Sequence, residues 1–207
     1  LYECHFPRYV IADGARLPFA DGAFDFAYSA DTLEHVPAAG RADFLRELAR
    51  VARKGIVIAA PFAHAEVEWA ESALDAFHLE ALGAPHPWLR EHRERGLPSL
   101  EETAATLRAP GAGLRCLAPI PNGELNLWFL AQLAEILAQA VPVFTGPWRS
   151  LQFALARGSA WNGEENREVE AAEFAPYRWI LCARRAPDER ESAPAPPDAR
   201  LFSRQRA

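Results

Sequence analysis

At 207 residues, half of them hydrophobic and about a quarter charged, the chain has the size and balance of one globular domain rather than of a fibrous or wholly disordered protein. Its net charge of −6 and scattered arginines, with Lys54 the only lysine, leave no basic face for nucleic-acid phosphates and exclude that class of partner. Cys4, Cys116 and Cys182 stand too far apart for a zinc motif or a disulfide framework. No signal segment or run of about eighteen apolar residues occurs, so a cytoplasmic protein without a membrane span is expected.

The chain opens on Leu1 and has no methionine, which leads us to expect a piece of a longer protein. Tyr9-Val-Ile-Ala12 runs into Asp13-Gly14, the pattern of a short strand passing into a turn, with Asp13 at the strand's carboxyl end. Leu17-Pro-Phe19 and Asp21-Gly22 form turns, and Phe24 to Tyr28 reads as the next strand, with Asp25 at its solvated entry.

From Pro37 to Lys54, Phe44, Leu45, Leu48, Val51 and Ala52 recur at spacings of three and four, which predicts an amphipathic helix. Arg50, Arg53 and Lys54 suit its negative end, and Gly55 suits the position just past it. Ile56 to Ala60 is an uninterrupted apolar run, expected of a strand covered on both faces in a parallel sheet and stopped by Pro61. The order strand, loop, helix, strand implies a right-handed βαβ crossover. Such folds hold their chemistry in the loops at the carboxyl ends of strands, here first of all Ser29 to His35.

Residues 63–96 form an excursion after a strand's carboxyl end, a common position for a lid. Within it Glu66 to Leu82 reads as helix, Gly83-Ala-Pro-His-Pro87 as a break, and Trp88 to Arg95 as a short charged segment rich in histidine. Ser99 followed by Glu102 is a capping-box pattern opening a helix to about Leu107. Leu114 to Ile120 reads as a strand. Leu125 to Val141 is the most apolar helix, with Gln132, Glu135 and Gln139 as a narrow polar stripe, and is expected in the core or in a homodimer interface. Tyr177 to Ala183 is the last expected strand, and residues 186–207, rich in Ala, Pro, Asp, Glu, Ser and Arg, read as a disordered linker or tail.

Ala12-Asp-Gly-Ala-Arg-Leu-Pro-Phe-Ala-Asp-Gly-Ala-Phe-Asp25, followed by Ser29-Ala-Asp-Thr-Leu-Glu-His-Val36, resembles the class I S-adenosylmethionine-dependent methyltransferases. The nearest group is the type 11 one, with an Asp at the end of the third strand, a Leu-Pro-Phe turn, Phe-Asp opening the fourth strand and Leu-Glu-His after it. The resemblance is specific over residues 9–62 and extends more weakly to about residue 185. It implies a Rossmann-like α/β sheet with helices on both faces, here lacking the first two strands, over a domain of residues 1–185. The family's glycine-rich loop and its ribose-binding acid have no counterpart in these residues and are expected upstream of Leu1. Without them the fragment is expected to be inactive alone. The later part resembles methyltransferase modules beside glycosyltransferases in bacterial surface-polysaccharide enzymes.

The resemblance also implies S-adenosyl-L-methionine as cofactor. In the family the carboxylate at Asp13's position accepts from the adenine amino group, and backbone after it, here Gly14 and Ala15, serves the ring. Ser29, Ala30 and Asp31 would line the methionine side, largely through backbone, with His35 facing the same cleft. The plainer alternatives make Asp13 a turn residue with Gly14, Asp31 or Thr32 a cap, and His35 a packed turn residue. Methyl transfer relies mainly on positioning, with a base only where the acceptor must lose a proton. His64, just past Pro61-Phe62, is the candidate base, while Phe62, His86 and His92 are candidate substrate or lid contacts. The spacing of His86 and His92 does not put both on one helix face as ligands, and no metal is expected. The acceptor is expected to be a small molecule or a sugar-containing glycan precursor. The alternative is a non-catalytic relic or interaction module of the same fold. A dinucleotide dehydrogenase fits less well, since no Gly-x-Gly-x-x-Gly run exists.

Overall fold

The computed structural model describes residues 10–110, 112–141, 143, 145–148, 150 and 175–185. In chain order these give β1 (Phe24–Ala30), 3-10 turns at Leu33–His35 and Ala38–Gly40, α1 (Arg41–Val51), β2 (Ala52–Ala60), α2 (Ala65–Leu82) and α3 (Pro87–Arg95). They continue with α4 (Leu100–Arg108), β3 (Arg115–Cys116), β4 (Ile120–Glu124), α5 (Leu125–Ala140) and β5 (Pro176–Arg184). The architecture is an open mixed α/β sheet with helices. Among the described residues no helix is long and apolar enough to cross a membrane. The expected tail at 186–207 lies outside them.

β1 and β2 pair in parallel, joined by α1, as the periodicities require. β2 then pairs antiparallel with β5, whose far side carries both β3 and β4. Those two short strands are pieces of one interrupted edge: β3 pairs near the end of β5 (Arg115 with Arg184), and β4 nearer its start (Ile120 with Ile180, Glu124 with Pro176). The single strand expected over 114–120 is therefore broken around Pro119, where no N–H is available for a ladder. The registers place Ala30, Ala60 and the start of β5 at one end of the sheet.

An expected strand and the bounds of an expected helix also depart from the sequence reading. Val10 to Ala12 form no strand; Val10 and Ile11 are exposed, and only an isolated bridge joins Asp13 to Arg16. An apolar β-branched run becomes a strand only where a neighbour completes its hydrogen bonds, and none of the described strands does so. The helix expected over 37–54 begins at Arg41, after the 3-10 turn, and ends at Val51. Ala52 pairs with Phe24 instead, and Arg53 and Lys54 both form ion pairs with Asp25 of β1. Specific partners on the adjacent strand thus outweigh the weak preference of those cations for a helix end. Gly55 serves the sheet, because a Cβ on it would lie 2.5 Å from the Ala183 carbonyl oxygen.

The main core lies between one sheet face and α1 and α4: Phe44, Leu45 and Leu48 of α1, Leu107 of α4, Ile56 and Ile58 of β2, and Leu181 of β5. Ser99 caps α4 as expected, its Oγ accepting from the Glu102 N–H at 3.2 Å. α2, α3 and α5 gather two further clusters, one with Val67, Ala70 and Leu125 against Tyr177, the other with Leu74, Leu89 and Ile136. On β1 the alternate residues Phe24, Phe26 and Tyr28 remain exposed, and on α5 so do Leu127 and Leu130.

Candidate functional site

The parallel strands end at Ala30 and Ala60, and the residues beyond Ala30 turn sharply. Asp31 takes a left-handed backbone conformation with φ of 46°, rare outside glycine and costing on the order of 1 kcal/mol. Local bonds hold it: the Asp31 N–H donates to the Ala59 carbonyl at 2.9 Å, and Arg178 Nη1, reaching from β5, donates to both Asp31 carboxylate oxygens at 2.7 and 2.5 Å. Thr32 Oγ1 donates to the Ala30 carbonyl at 2.8 Å rather than capping the next turn. Ser29 is buried and its Oγ has no hydrogen-bond partner among the described residues.

The 3-10 turn Leu33–His35 then sends three side chains to three places. Leu33 enters the main core. Glu34 is 1% exposed and its Oε2 has no partner among the described residues; burial, reinforced by Asp31 and Glu71 and opposed by its own backbone N–H and His92, pushes its carboxyl up to about 7. His35 Nδ1 sits 2.8 Å from Glu91 Oε2 on α3.

The His35 ring is also 3.4 Å, Nε2 to Nε2, from His92, likewise on α3. His92 is buried and places its Nδ1 3.0 Å from Glu71 Oε1 on α2. The same Glu71 oxygen accepts from the Tyr177 hydroxyl of β5 at 3.1 Å. Burial and the Glu71 charge hold that phenol protonated, and its ring stacks on Trp128 of α5 with centroids 3.6 Å apart. A continuous polar path therefore runs Tyr177, Glu71, His92, His35, Glu91, ending on Arg95 at 2.5 Å from Glu91.

The remaining expected site residues are dispersed. Asp13 Oδ1 accepts from the Ala15 N–H at 2.9 Å and its carbonyl from Arg16, so it does build the turn. Gly14 permits the approach of Phe44, whose ring atoms would lie 2.7 and 2.9 Å from a Cβ there. Glu47 and Arg50 hold the following loop: Glu47 Oε2 accepts from the Leu17 N–H, and Arg50 donates to the carbonyls of Leu17 and Phe19 and to Asp21. His64 is exposed, just ahead of α2. His86 caps α3 and meets His78 and Trp88, while His92 joins His35; the fold does not make a pair of His86 and His92. Phe62, expected near substrate, is 3% exposed within the core.

Sequence reasoning missed Glu71, Glu91, Tyr177 and Arg178. One signal was available for Glu71: it and Asp75 fall on the same stripe of α2 as Val67, Ala70 and Leu74, and acids on an apolar stripe require buried partners. Two hollows adjoin this region. A recess of about 220 Å³ between α2 and α3 is lined by Glu71, Asp75, His92 and Arg93. A groove of about 560 Å³ between α2 and α5 is lined by Trp69, Ala70, Leu125 and Phe129, with the Trp69 and Phe129 rings stacked at 6.0 Å.

An open α/β sheet with its polar residues gathered beyond the carboxyl ends of two parallel strands is the nucleotide-binding type of fold. Residues 2–60 match the family model described as "Methyltransferase domain", and over those residues the chain is similar to the S-adenosylmethionine-dependent methyltransferases. It is 34% identical over 79 residues to the chloroplastic tocopherol O-methyltransferase of Arabidopsis thaliana, 38% of this chain and 22% of that one. Among solved structures, a candidate sarcosine dimethylglycine methyltransferase from Galdieria sulphuraria aligns with TM-score 0.46 and 15% identity, over 84% of this chain and 58% of that one. A Haemonchus contortus phosphoethanolamine N-methyltransferase bound to S-adenosylhomocysteine aligns with TM-score 0.40 and 14% identity, over 86% and 37%. The chain thus spans about a fifth of the curated relative.

At the strand end Ser29 Oγ is thus a buried polar atom without a partner among the described residues, whereas the Asp31 carboxylate is taken by Arg178.

Proposed function

We propose that the protein to which these residues belong transfers the methyl group of S-adenosylmethionine to a small-molecule or sugar-containing acceptor. The observation that carries the reading is the position of Ser29 to His35, inside the segment that matches the methyltransferase model and spanning the carboxyl end of β1 and the turn after it. In this reading Asp13, Gly14 and Ala15 serve the adenine side and Ser29 to Asp31 the methionine side. The chain's own residues orient the cofactor by backbone groups held in place by the Asp31–Arg178 pair. The cofactor supplies the electrophilic methyl.

The groove between α2 and α5 suits the acceptor, since Trp69 and Phe129 offer aromatic faces on which a ring or the apolar face of a sugar can stack. His64 immediately precedes Ala65, which lines that groove, and is the candidate base for an acceptor that must lose a proton.

A second reading, a non-catalytic interaction module, is favoured by one observation: the exposed Phe24, Phe26 and Tyr28 of β1, a patch suited to a protein contact. Titration calorimetry of this chain with S-adenosylhomocysteine, alongside methyl-transfer assays of the full-length protein over a panel of acceptors, separates the two. The expected results are weak or no binding by the chain alone and turnover by the full-length protein. Micromolar binding by the chain alone would contradict the expectation of weak binding, and a full-length protein that neither binds the cofactor nor turns over would favour the module.

A further inference from the structure

We propose that Glu34, His35 and His92 form a binding site for a divalent transition-metal cation of the zinc class, with two imidazole nitrogens and one carboxylate oxygen as ligands. The site lies beyond β1 and would join its 3-10 turn to α3. It goes beyond the methyl-transfer reading and stands or falls without it.

Geometry is the first ground. One ligand atom from each of the three residues lies within 4.8 Å of the others. The two Nε2 atoms are 3.4 Å apart. Two nitrogens each about 2.05 Å from a tetrahedral ion are separated by about 3.3 Å, so the imidazoles already stand at nearly the spacing a shared ion imposes.

The outer partners are the second ground. Each histidine directs its Nδ1 at a carboxylate, His35 at Glu91 and His92 at Glu71. A carboxylate there draws the ring proton to Nδ1 and leaves the Nε2 lone pair as the metal-binding atom, the usual carboxylate–histidine–metal arrangement. Two Nε2 lone pairs facing one another repel, and a cation between them removes the repulsion.

Glu34 supplies a third and independent ground. Its Oε2 is buried at 1% residue exposure and has no hydrogen-bond partner among the described residues, a costly state for a carboxylate that a coordinated cation would relieve. The donor set selects the class of ion: calcium and magnesium take oxygen ligands, whereas two imidazoles and a carboxylate suit zinc, cobalt, nickel or iron. Three protein ligands leave a position for water or a substrate oxygen. The His35 side chain remains partly exposed to solvent, so the proposed ion position is not sealed from water.

The test begins with this chain, stripped by chelator and returned to chelator-free neutral buffer. It is titrated with ZnCl2 by calorimetry and with CoCl2 by visible absorption. The expected result is one equivalent bound at micromolar affinity or tighter, with the ligand-field bands of an imidazole-bound cobalt ion. His35→Gln and His92→Gln are each expected to weaken binding by about 100-fold or more, and Glu71→Gln by about tenfold, while His78→Gln leaves it unchanged. Circular dichroism checks that each variant is folded. X-ray absorption at the zinc edge on the unsubstituted chain counts the imidazoles without any variant, and two are expected. A folded chain that binds no stoichiometric zinc, a zinc shell without imidazole, or unchanged affinity in both folded histidine variants overturns the proposal.

Discussion

Replacing Glu34 by Gln removes a titratable carboxyl from the buried 3-10 turn after β1 and keeps the shape of the side chain. In the metal-free fold its carboxyl stands at about 7 against an ordinary 4.5, a gap that corresponds to about 3 kcal/mol. Below the ordinary value Glu34 is protonated whether the chain is folded or unfolded, and the substitution is close to neutral. Between the two values the unfolded chain ionises and the folded chain does not, so stability drains away as pH rises. Above about 7 the whole cost is present. Glu34→Gln should therefore stabilise the protein by up to about 3 kcal/mol at about pH 8 and by almost nothing at about pH 4. Asp31, Glu71 and His92 face the same group, and comparing variant with parent cancels what they contribute in common. Urea denaturation in chelator at the two pH values measures the difference. A stability change that is the same at both, or a loss at the higher pH, refutes the account of Glu34 as a desolvated acid.

Gly55→Ala should destabilise by about 1–3 kcal/mol by overpacking, since its Cβ would meet backbone of β5 that cannot rotate away; Gly55→Asn should be worse still. If Gly55 were instead a helix terminus, Asn would be tolerated, so chemical denaturation of the pair distinguishes the two. Tyr177→Phe removes a donor from buried Glu71 and should cost about 1–3 kcal/mol by the same assay; no loss would mean the phenol donates nothing in solution. Arg50, through its hydrogen bonds, holds the Glu47 carboxyl down to about 2. That pair stabilises above the ordinary carboxylate value and fades as pH falls toward about 2, so an acid titration of stability should lose this component in Glu47→Gln. An unchanged acid limb would remove the pair from the account.

The βαβ unit was legible because each of its parts obeys a local rule: Ile56 to Ala60 is apolar throughout, and the α1 residues recur at helical spacing. The loop expected over Ser29 to His35 was legible only as a strand end: Ser29 and Ala30 still belong to β1, and the chain turns from Asp31 on. What was not legible depended on a partner distant in sequence. The α1 boundary was misread because the ion pairs of Arg53 and Lys54 with Asp25 are invisible to a helix-end argument. Val10 to Ala12 were misread because a strand is a property of two segments. His35 and His92 stand 57 residues apart, and the pair considered in sequence, His86 and His92, shares a segment but no site. Glu34 was read as part of a motif rather than as a buried acid, because burial on a 3-10 turn leaves no periodic trace.

The two sides of the sheet differ in how freely they invite another strand. On the outer side of β5, the partner strand is cut into β3 and β4 with Pro119 between them and Pro121 inside the second piece. That edge is blunted, because an incoming chain would find missing donors and a discontinuous ladder. β1 runs unbroken for seven residues, without proline, and shows its aromatic face to solvent. Among the described residues no strand pairs with the outer edge of β1, so of these two flanks that of β1 is the better template for an added strand, and the sequence of the opposite flank discourages misassembly there.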